Sequence, residues 1–130
     1  MWEWREHTAE VELWIEAGSL DEVFADGLAA LGEVVAGEAG GEPARHQVRI
    51  EAADTATLLA DWLNELVYLA DARSFVPERL GSLALEGAAL DASIEGRHGD
   101  VRRLVKAVTY HRLELVQEGA SWRARVVLDV

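Results

Sequence analysis

The stretch AEVELWIEAGSLDEVFADGLAALGEVV, residues 9–35, predicts a β-strand followed by an amphipathic helix. Over residues 9–16 apolar and polar side chains alternate, which is the period of a strand with one buried face. The alternation places Glu10 opposite the apolar set. Ser19 precedes Glu22 by three residues, the spacing of a capping box, and apolar residues then recur at helical spacing to Val35. The stretch therefore predicts a strand–helix unit.

The same order recurs once, and the rest of the chain is rich in strand patterns. After a Gly/Pro-containing connection at 36–45, residues 46–52 alternate as a strand, and Asp54 or Thr55 can cap a helix over 55–72. Further strands are predicted at 74–80, 82–87, 88–96, 102–115 and 121–130. The predicted fold class is α+β: residues 1–130 form a single two-layer domain, with a mixed, mostly antiparallel sheet and two helices on one face.

The composition indicates a globular protein that phosphate backbones repel. Half of the 130 residues are hydrophobic, and the formal net charge is −12. Such a charge argues against direct nucleic-acid binding. No apolar run approaches the roughly 20 residues of a membrane span, and the N-terminus is charged from its third residue. We therefore expect a cytoplasmic protein that binds neither membranes nor RNA directly. Because the chain contains no cysteine, it can form no disulfide, thiol nucleophile or cysteine-ligated zinc site.

The segment RRLVKAVTYHRLEL, residues 102–115, contains the only lysine among twelve basic residues. Strand alternation groups Lys106 with Tyr110 and places His111 on the more apolar face, where a hydrogen-bonded core histidine is expected. Lysine is a compact point charge that arginine does not replace in a tight phosphate contact. Its single use therefore favours a specific role for Lys106, although an arginine-rich coding bias would also leave one surface lysine.

Carboxylates at the two ends of the chain form a candidate cation site. Alternation places Asp129 off the core side of the last strand, next to the α-carboxylate of Val130, and Glu10 off the core side of the first. If these strands are neighbours, Glu10, Asp129 and Val130 converge. An oxygen-rich set suits a divalent metal ion, Ca²⁺ first and Mg²⁺ or Mn²⁺ next. The alternative is that these are solvated charges on strand ends.

Common enzyme signatures are absent from the sequence. It contains no nucleophile elbow, phosphate-binding loop, dinucleotide fingerprint or H-E-x-x-H motif. His46 and His98 have no metal-ligand spacing, and no convincing general base accompanies the carboxylates. A stand-alone metal-dependent phosphohydrolase is therefore a weaker interpretation than a non-catalytic protein.

Four segments in order resemble the archease family: EHTAEVEL (6–13), LLADWLNELVYL (58–69), VKAVTYHRLEL (105–115) and the terminal WRARVVLDV (122–130). The resemblance covers nearly the whole chain. It implies an accessory protein, not an enzyme, that activates RtcB-type RNA ligases in tRNA splicing and RNA repair. Such proteins promote guanylylation of the ligase by GTP and its multiple turnover, so GTP and tRNA would be reached only through the ligase.

The resemblance also implies the functional residues. The family's metal ligands match Glu10, Asp129 and Val130, and its functional lysine matches Lys106. Where the family usually has aspartate in its His-Thr-Ala-Asp motif, this chain has Glu10, which extends the carboxylate by about 1.5 Å. This difference affects metal affinity or choice, since Ca²⁺ tolerates flexible oxygen geometry better than Mg²⁺ does. A general chaperone or interaction module without a metal role is the remaining alternative.

Overall fold

The computed structural model describes all 130 residues, Met1–Val130, as seven strands and two helices. In chain order these are β1 (Trp2–His7), β2 (Glu10–Ala17), α1 (Leu20–Val35), β3 (Glu42–Glu51), α2 (Thr55–Arg73), β4 (Phe75–Glu86), β5 (Ala89–His98), β6 (Ala107–Glu118) and β7 (Ser121–Asp129). Neither helix is long and apolar enough to cross a membrane.

The strands form two antiparallel sheets where one mixed sheet was predicted. The four-stranded sheet has the order β1-β2-β7-β6, and the three-stranded sheet has the order β3-β5-β4. Every strand pair is antiparallel. The α+β class is thus confirmed, while the number of sheets is corrected. Alternation shows which face of a strand is buried but carries no information about which strands pair.

Both helices contact both sheets instead of covering one face of a single sheet. Helix α1 packs against β2, β7 and β4, and α2 packs against β6 and all three strands of the other sheet. A single cluster of 30 buried apolar residues connects these elements. Gly32 lets α1 approach β4 closely, because a Cβ there would collide with the Pro77 carbonyl oxygen. The helices and the two sheets therefore share one core.

The helix starts agree with the sequence signals. Ser19 Oγ accepts a hydrogen bond from the Glu22 amide at 3.2 Å, and Glu22 reaches back to the Gly18 amide at 2.7 Å. Asp54 caps α2 by accepting a hydrogen bond from the Thr57 amide at 2.7 Å. Each cap pairs an amide that the helix itself leaves free. The choice between Asp54 and Thr55 is resolved in favour of Asp54.

Strand boundaries differ more from the predictions. Strand β1 was not predicted, although Trp2 and Trp4 pack against the core with alternate spacing. Strand β4 spans the two strands predicted at 74–80 and 82–87, and it stays continuous through two register shifts near Pro77 and Leu80. Residues 102–106 lie outside any strand, so the predicted strand at 102–115 begins late, at Ala107. Bulges and edge pairing, which local patterns do not reveal, account for these differences.

Candidate functional site

The two predicted side-chain ligands, Glu10 and Asp129, face each other across neighbouring strands. In the register of β2 with β7, Glu10 is the direct partner of Asp129, and Asp129 is in turn opposite Ala107 of β6. Directly opposed residues point to the same face of a sheet, with their Cβ atoms about 4.5–5.5 Å apart. The pairing therefore places both carboxylates at one corner of the four-stranded sheet.

The chain on either side of this pair is held close by backbone contacts. The amide of Val130 lies 3.5 Å from the Ala9 carbonyl oxygen, so the end of β7 stays beside the connection between β1 and β2. Ala9 has a φ of 64°, a left-handed conformation that suits this two-residue connection. Val130, the third predicted ligand, is thus adjacent to the same corner.

Lys106 reaches this corner from irregular chain just before β6, not from within a strand. Its backbone amide donates to the Asp129 carbonyl oxygen at 2.8 Å. The side chain is exposed and forms no ion pair within the protein. The predicted residues Glu10, Asp129 and Lys106 therefore come from three segments to one corner, with the lysine ammonium group free for an external anion.

Arg112 also contacts this corner, through Glu10, and strand alternation does not predict that contact. Its guanidinium lies 2.7 Å from Glu10 Oε1 and 3.2 Å from Glu12 Oε2. A bulge between Thr109 and Glu114 makes this possible, and Arg112 itself has a φ of 54°. The bulge also corrects the expectation for His111, which is exposed instead of buried in the core. Alternation fails here because extra residues shift the side-chain order.

Glu12 is a buried carboxylate that sequence reasoning assigned to a polar outer face. It is 5% exposed, and it accepts a hydrogen bond from Trp14 Nε1 at 2.9 Å. His7 Nε2 lies 3.3 Å from its other oxygen. The Trp14 hydrogen bond lowers the pKa of Glu12 against the opposing effect of burial, and the Arg112, His7 and Arg125 charges lower it further. Glu12 therefore remains ionised and orients Arg112 toward the carboxylate corner.

Few protein oxygen atoms are available as ligands at the predicted cation site. No group of three or more His, Asp or Glu side chains is placed to hold a metal ion anywhere in the chain. Glu10 and Asp129 supply two side chains, and one oxygen of Glu10 already contacts Arg112. A cation there would depend on these two carboxylates, the α-carboxylate of Val130 and water, a set compatible with hard oxygen-seeking ions.

Two hydrogen bonds from Asn64 join helix α2 to the start of β6, two residues after Lys106. Asn64 Nδ2 donates to the Val108 carbonyl and Asn64 Oδ1 accepts from the Val108 amide, both at 2.9 Å. Nearby, the Tyr110 hydroxyl donates to Asp61, and this hydrogen bond raises the pKa of Tyr110, with burial adding to the effect. Asn64 thus pairs both backbone polar groups of an edge-strand residue.

A histidine pair lies apart from this corner, on the three-stranded sheet. His46 Nε2 and His98 Nε2 are 3.2 Å apart, and His98 Nδ1 is 2.7 Å from the Arg73 carbonyl oxygen. His98 therefore donates from Nδ1 and accepts from His46 at Nε2 when both rings are neutral. Burial lowers the pKa of His46, and the positive charges of His98 and Arg73 lower it further.

The lowered pKa of His46 predicts that the protein loses stability under mildly acidic conditions. The unfolded chain takes up a proton on His46 near its ordinary pKa of 6.5, whereas the folded chain resists until lower pH. The free energy of unfolding should therefore fall as pH drops below about 6.5. Urea titrations between pH 5 and 8 should show a shallower fall for His46→Gln. His111→Gln, at an exposed ring, is the matched control, and equal slopes for wild type and His46→Gln would contradict the prediction.

Comparisons with known proteins agree on one family. The model of the archease protein family matches residues 2–130. An archease of Pyrobaculum neutrophilum is 35% identical over 96% of this chain and 92% of its own length. An archease of Methanosarcina acetivorans is 31% identical, over 99% and 95%.

Two solved structures share the architecture. The solution structure of Methanobacterium thermoautotrophicum protein 1598 superposes with a TM-score of 0.72 at 28% identity, covering 99% of this chain and 98% of that one. A Thermotoga maritima archease, described as a possible chaperone, gives a TM-score of 0.69 at 22% identity over 97% and 94%. The second likeness supports the fold alone.

Proposed function

The chain belongs to the archease family, and from this premise we propose that it is a non-catalytic accessory protein that activates an RtcB-type RNA ligase. In this proposal it promotes guanylylation of the ligase by GTP and enables multiple turnover in tRNA splicing and RNA repair. GTP and tRNA are reached only through the ligase. We place the protein in the cytoplasm, where tRNA processing would require it.

The observation that carries the proposal is the meeting of Glu10, Asp129 and Lys106 at one corner. Two carboxylates oppose each other across β2 and β7, and the amide of Lys106 is bonded to the backbone of one of them. Carboxylates beside an ammonium group suit the handling of a nucleotide triphosphate, because a cation held by the carboxylates and the ammonium group can both neutralise phosphate oxygens. In this proposal the phosphoryl chemistry belongs to the ligase, and this corner of the chain supplies charge to it.

In this proposal Glu10, Asp129 and the α-carboxylate of Val130 hold a divalent cation. Ca²⁺ fits best, because it accepts variable numbers of oxygens and the longer reach of Glu10, while Mg²⁺ and Mn²⁺ remain compatible. When bound, the cation would supply positive charge close to phosphate oxygens. The Arg112 guanidinium contacts one oxygen of Glu10 at 2.7 Å, which holds this carboxylate in place before a cation arrives.

Lys106 supplies a mobile positive charge beside this set. Its ammonium group is free of internal ion pairs, and its backbone is anchored at 2.8 Å to Asp129. A flexible lysine on an anchored backbone can follow a phosphate group through a reaction. The net charge of −12 complements a basic, RNA-binding ligase and favours rapid docking while excluding RNA from the protein itself.

The test is RNA ligation under multiple-turnover conditions with the host's RtcB-type ligase, GTP and Mn²⁺. Wild-type protein should convert slow ligation into repeated turnover. Lys106→Ala and Asp129→Ala should each lower this stimulation roughly tenfold or more, because the first removes a positive charge expected at a phosphate group and the second removes a ligand of the proposed cation. Arg49→Ala and Glu51→Ala, on β3 of the other sheet, are charge-matched controls. Full stimulation by both corner variants would refute the assigned roles.

Two further assays separate the alternatives. Phosphate release from GTP by the protein alone, abolished by a chelator, would identify a phosphohydrolase. Protection of unrelated unfolded clients, unaffected by Asp129→Ala, would favour the chaperone role suggested for the Thermotoga maritima relative. Neither is expected for a ligase-specific accessory protein.

A further inference from the structure

Arg112 places a permanent positive charge at the corner formed by Glu10 and Asp129. Its Nη2 atom lies 2.7 Å from Glu10 Oε1 and 3.2 Å from Glu12 Oε2. The guanidinium group of arginine stays protonated in proteins and has no acceptor atom, so it can act only as a cation and a hydrogen-bond donor. The corner proposed to hold a divalent cation therefore already contains a cation that belongs to the chain.

The backbone of Arg112 is held at this corner independently of its side chain. The register of β6 with β7 shifts between Thr109 and Glu114, and Arg112 within this bulge has a φ of 54°. Residues other than glycine are uncommon in this left-handed region. The Arg112 carbonyl oxygen accepts a hydrogen bond from Arg125 Nε at 2.9 Å. This bond involves only the backbone of Arg112, so a substitution there removes the side-chain charge and keeps the bond.

Glu12 gives Arg112 a second carboxylate partner. Glu12 is 5% exposed and accepts a hydrogen bond from Trp14 Nε1 at 2.9 Å. A buried carboxylate that loses its ion-pair partner is strongly destabilised, so Arg112 should keep its contact with Glu12. The Glu10 side chain is 30% exposed and can exchange partners at little cost. When Glu10 binds a divalent cation, Arg112 therefore remains beside it, paired with Glu12.

We infer that Arg112 competes with the divalent cation for Glu10 and keeps the cation affinity of this corner low, an inference that rests on the proposed function. The Arg112 contact positions the Glu10 carboxylate, but it also uses one of its two oxygens. It places a charge of the same sign beside the incoming cation, and like charges a few ångströms apart repel. Glu10 and Asp129 are the only side-chain carboxylates assigned to the cation, so no further ligand charge offsets this repulsion. The cation is therefore exchangeable and not a permanent part of the fold.

Calorimetric titration of the purified protein with CaCl₂, and separately with MgCl₂, measures cation affinity without the ligase. Arg112→Gln should lower the Kd for Ca²⁺ about tenfold, because it removes one positive charge beside the cation. Arg112→Asn, with a residue that tolerates the left-handed conformation, should lower the Kd equally. Arg112→Lys keeps the charge and should stay close to the wild-type Kd, whereas a role of the planar guanidinium group alone would make all three variants alike.

Arg123→Gln is the matched control. It removes the same charge from the same sheet face, but Arg123 pairs with Glu16, six residues along β2 from Glu10. That separation is about 20 Å, well beyond the range of unscreened charge at 0.15 M salt. The Kd of Arg123→Gln should equal that of the wild type. Circular dichroism of the metal-free variants confirms that each is folded.

The titrations distinguish a failure of this inference from a failure of the proposed function. An unchanged or higher Kd for Arg112→Gln, with cation binding by the wild type, would overturn the competition and leave the proposed function standing. Equal tightening by Arg112→Gln and Arg123→Gln would assign the effect to net charge and also overturn the inference. If neither the wild type nor Arg112→Gln bound a divalent cation, both the inference and the proposed cation site would be wrong.

Discussion

Trp62→Ala is expected to lower the free energy of unfolding by about 3–5 kcal/mol, the usual cost of removing a large buried aromatic ring. Trp62 is fully buried on α2, and its ring centroid lies 6.3 Å from that of Phe24 on α1. Its Nε1 donates to the Phe24 carbonyl at 3.1 Å. The substitution leaves a cavity between the helices where both sheets share their core. A loss of this size is a large share of the roughly 5–15 kcal/mol that stabilises a typical domain.

Urea unfolding followed by circular dichroism measures this loss. Trp62→Phe is the matched variant, because it keeps an aromatic ring and loses the hydrogen-bond donor and part of the volume. It should cost clearly less than Trp62→Ala. If Trp62→Ala lowered the free energy of unfolding by less than about 1 kcal/mol, the helix interface could not be as closely packed as described.

Asn64→Ala is expected to cost about 2–4 kcal/mol, because it leaves two partly buried backbone groups without partners. Val108 lies on β6, an edge strand of the four-stranded sheet, and Asn64 binds both its amide and its carbonyl. The side chain thus covers the free edge of the sheet at this position. Val108 lies two residues from Lys106. The variant should therefore also hold the lysine less firmly in position and stimulate the ligase less.

Two substitutions distinguish the loss of the two Asn64 hydrogen bonds from a general effect of mutating α2. Asn64→Asp keeps the acceptor for the Val108 amide but places a carboxylate against the Val108 carbonyl, so it should also destabilise the protein. Glu65→Ala, one residue further on the same helix, should change the free energy of unfolding by no more than about 0.5 kcal/mol. Equal stability of Asn64→Ala and Glu65→Ala would show that the two hydrogen bonds contribute little.

Much of the local structure could be predicted because its causes are local. The Ser19 and Asp54 caps, the apolar stripe of α1 and the apolar face of β2 follow from side chains within a few residues of one another. The position of Lys106 within a strand was wrong, since residues 102–106 form no strand. The exposure of His111 also differed, because the bulge beside Arg112 interrupts the period of two.

The sequence by itself determined both helices, most of the strands, the α+β class and the outward placement of Glu10 and Asp129. Only the tertiary structure decided that the strands divide into two sheets and that Glu10 pairs directly with Asp129. It also decided that Arg112 bridges Glu10 and Glu12. The physical reason is the separation of the interacting residues along the chain. Alternation and capping arise from neighbouring residues, whereas strand order and register depend on pairing between distant segments, such as β2 with β7, and local patterns do not specify which strands pair.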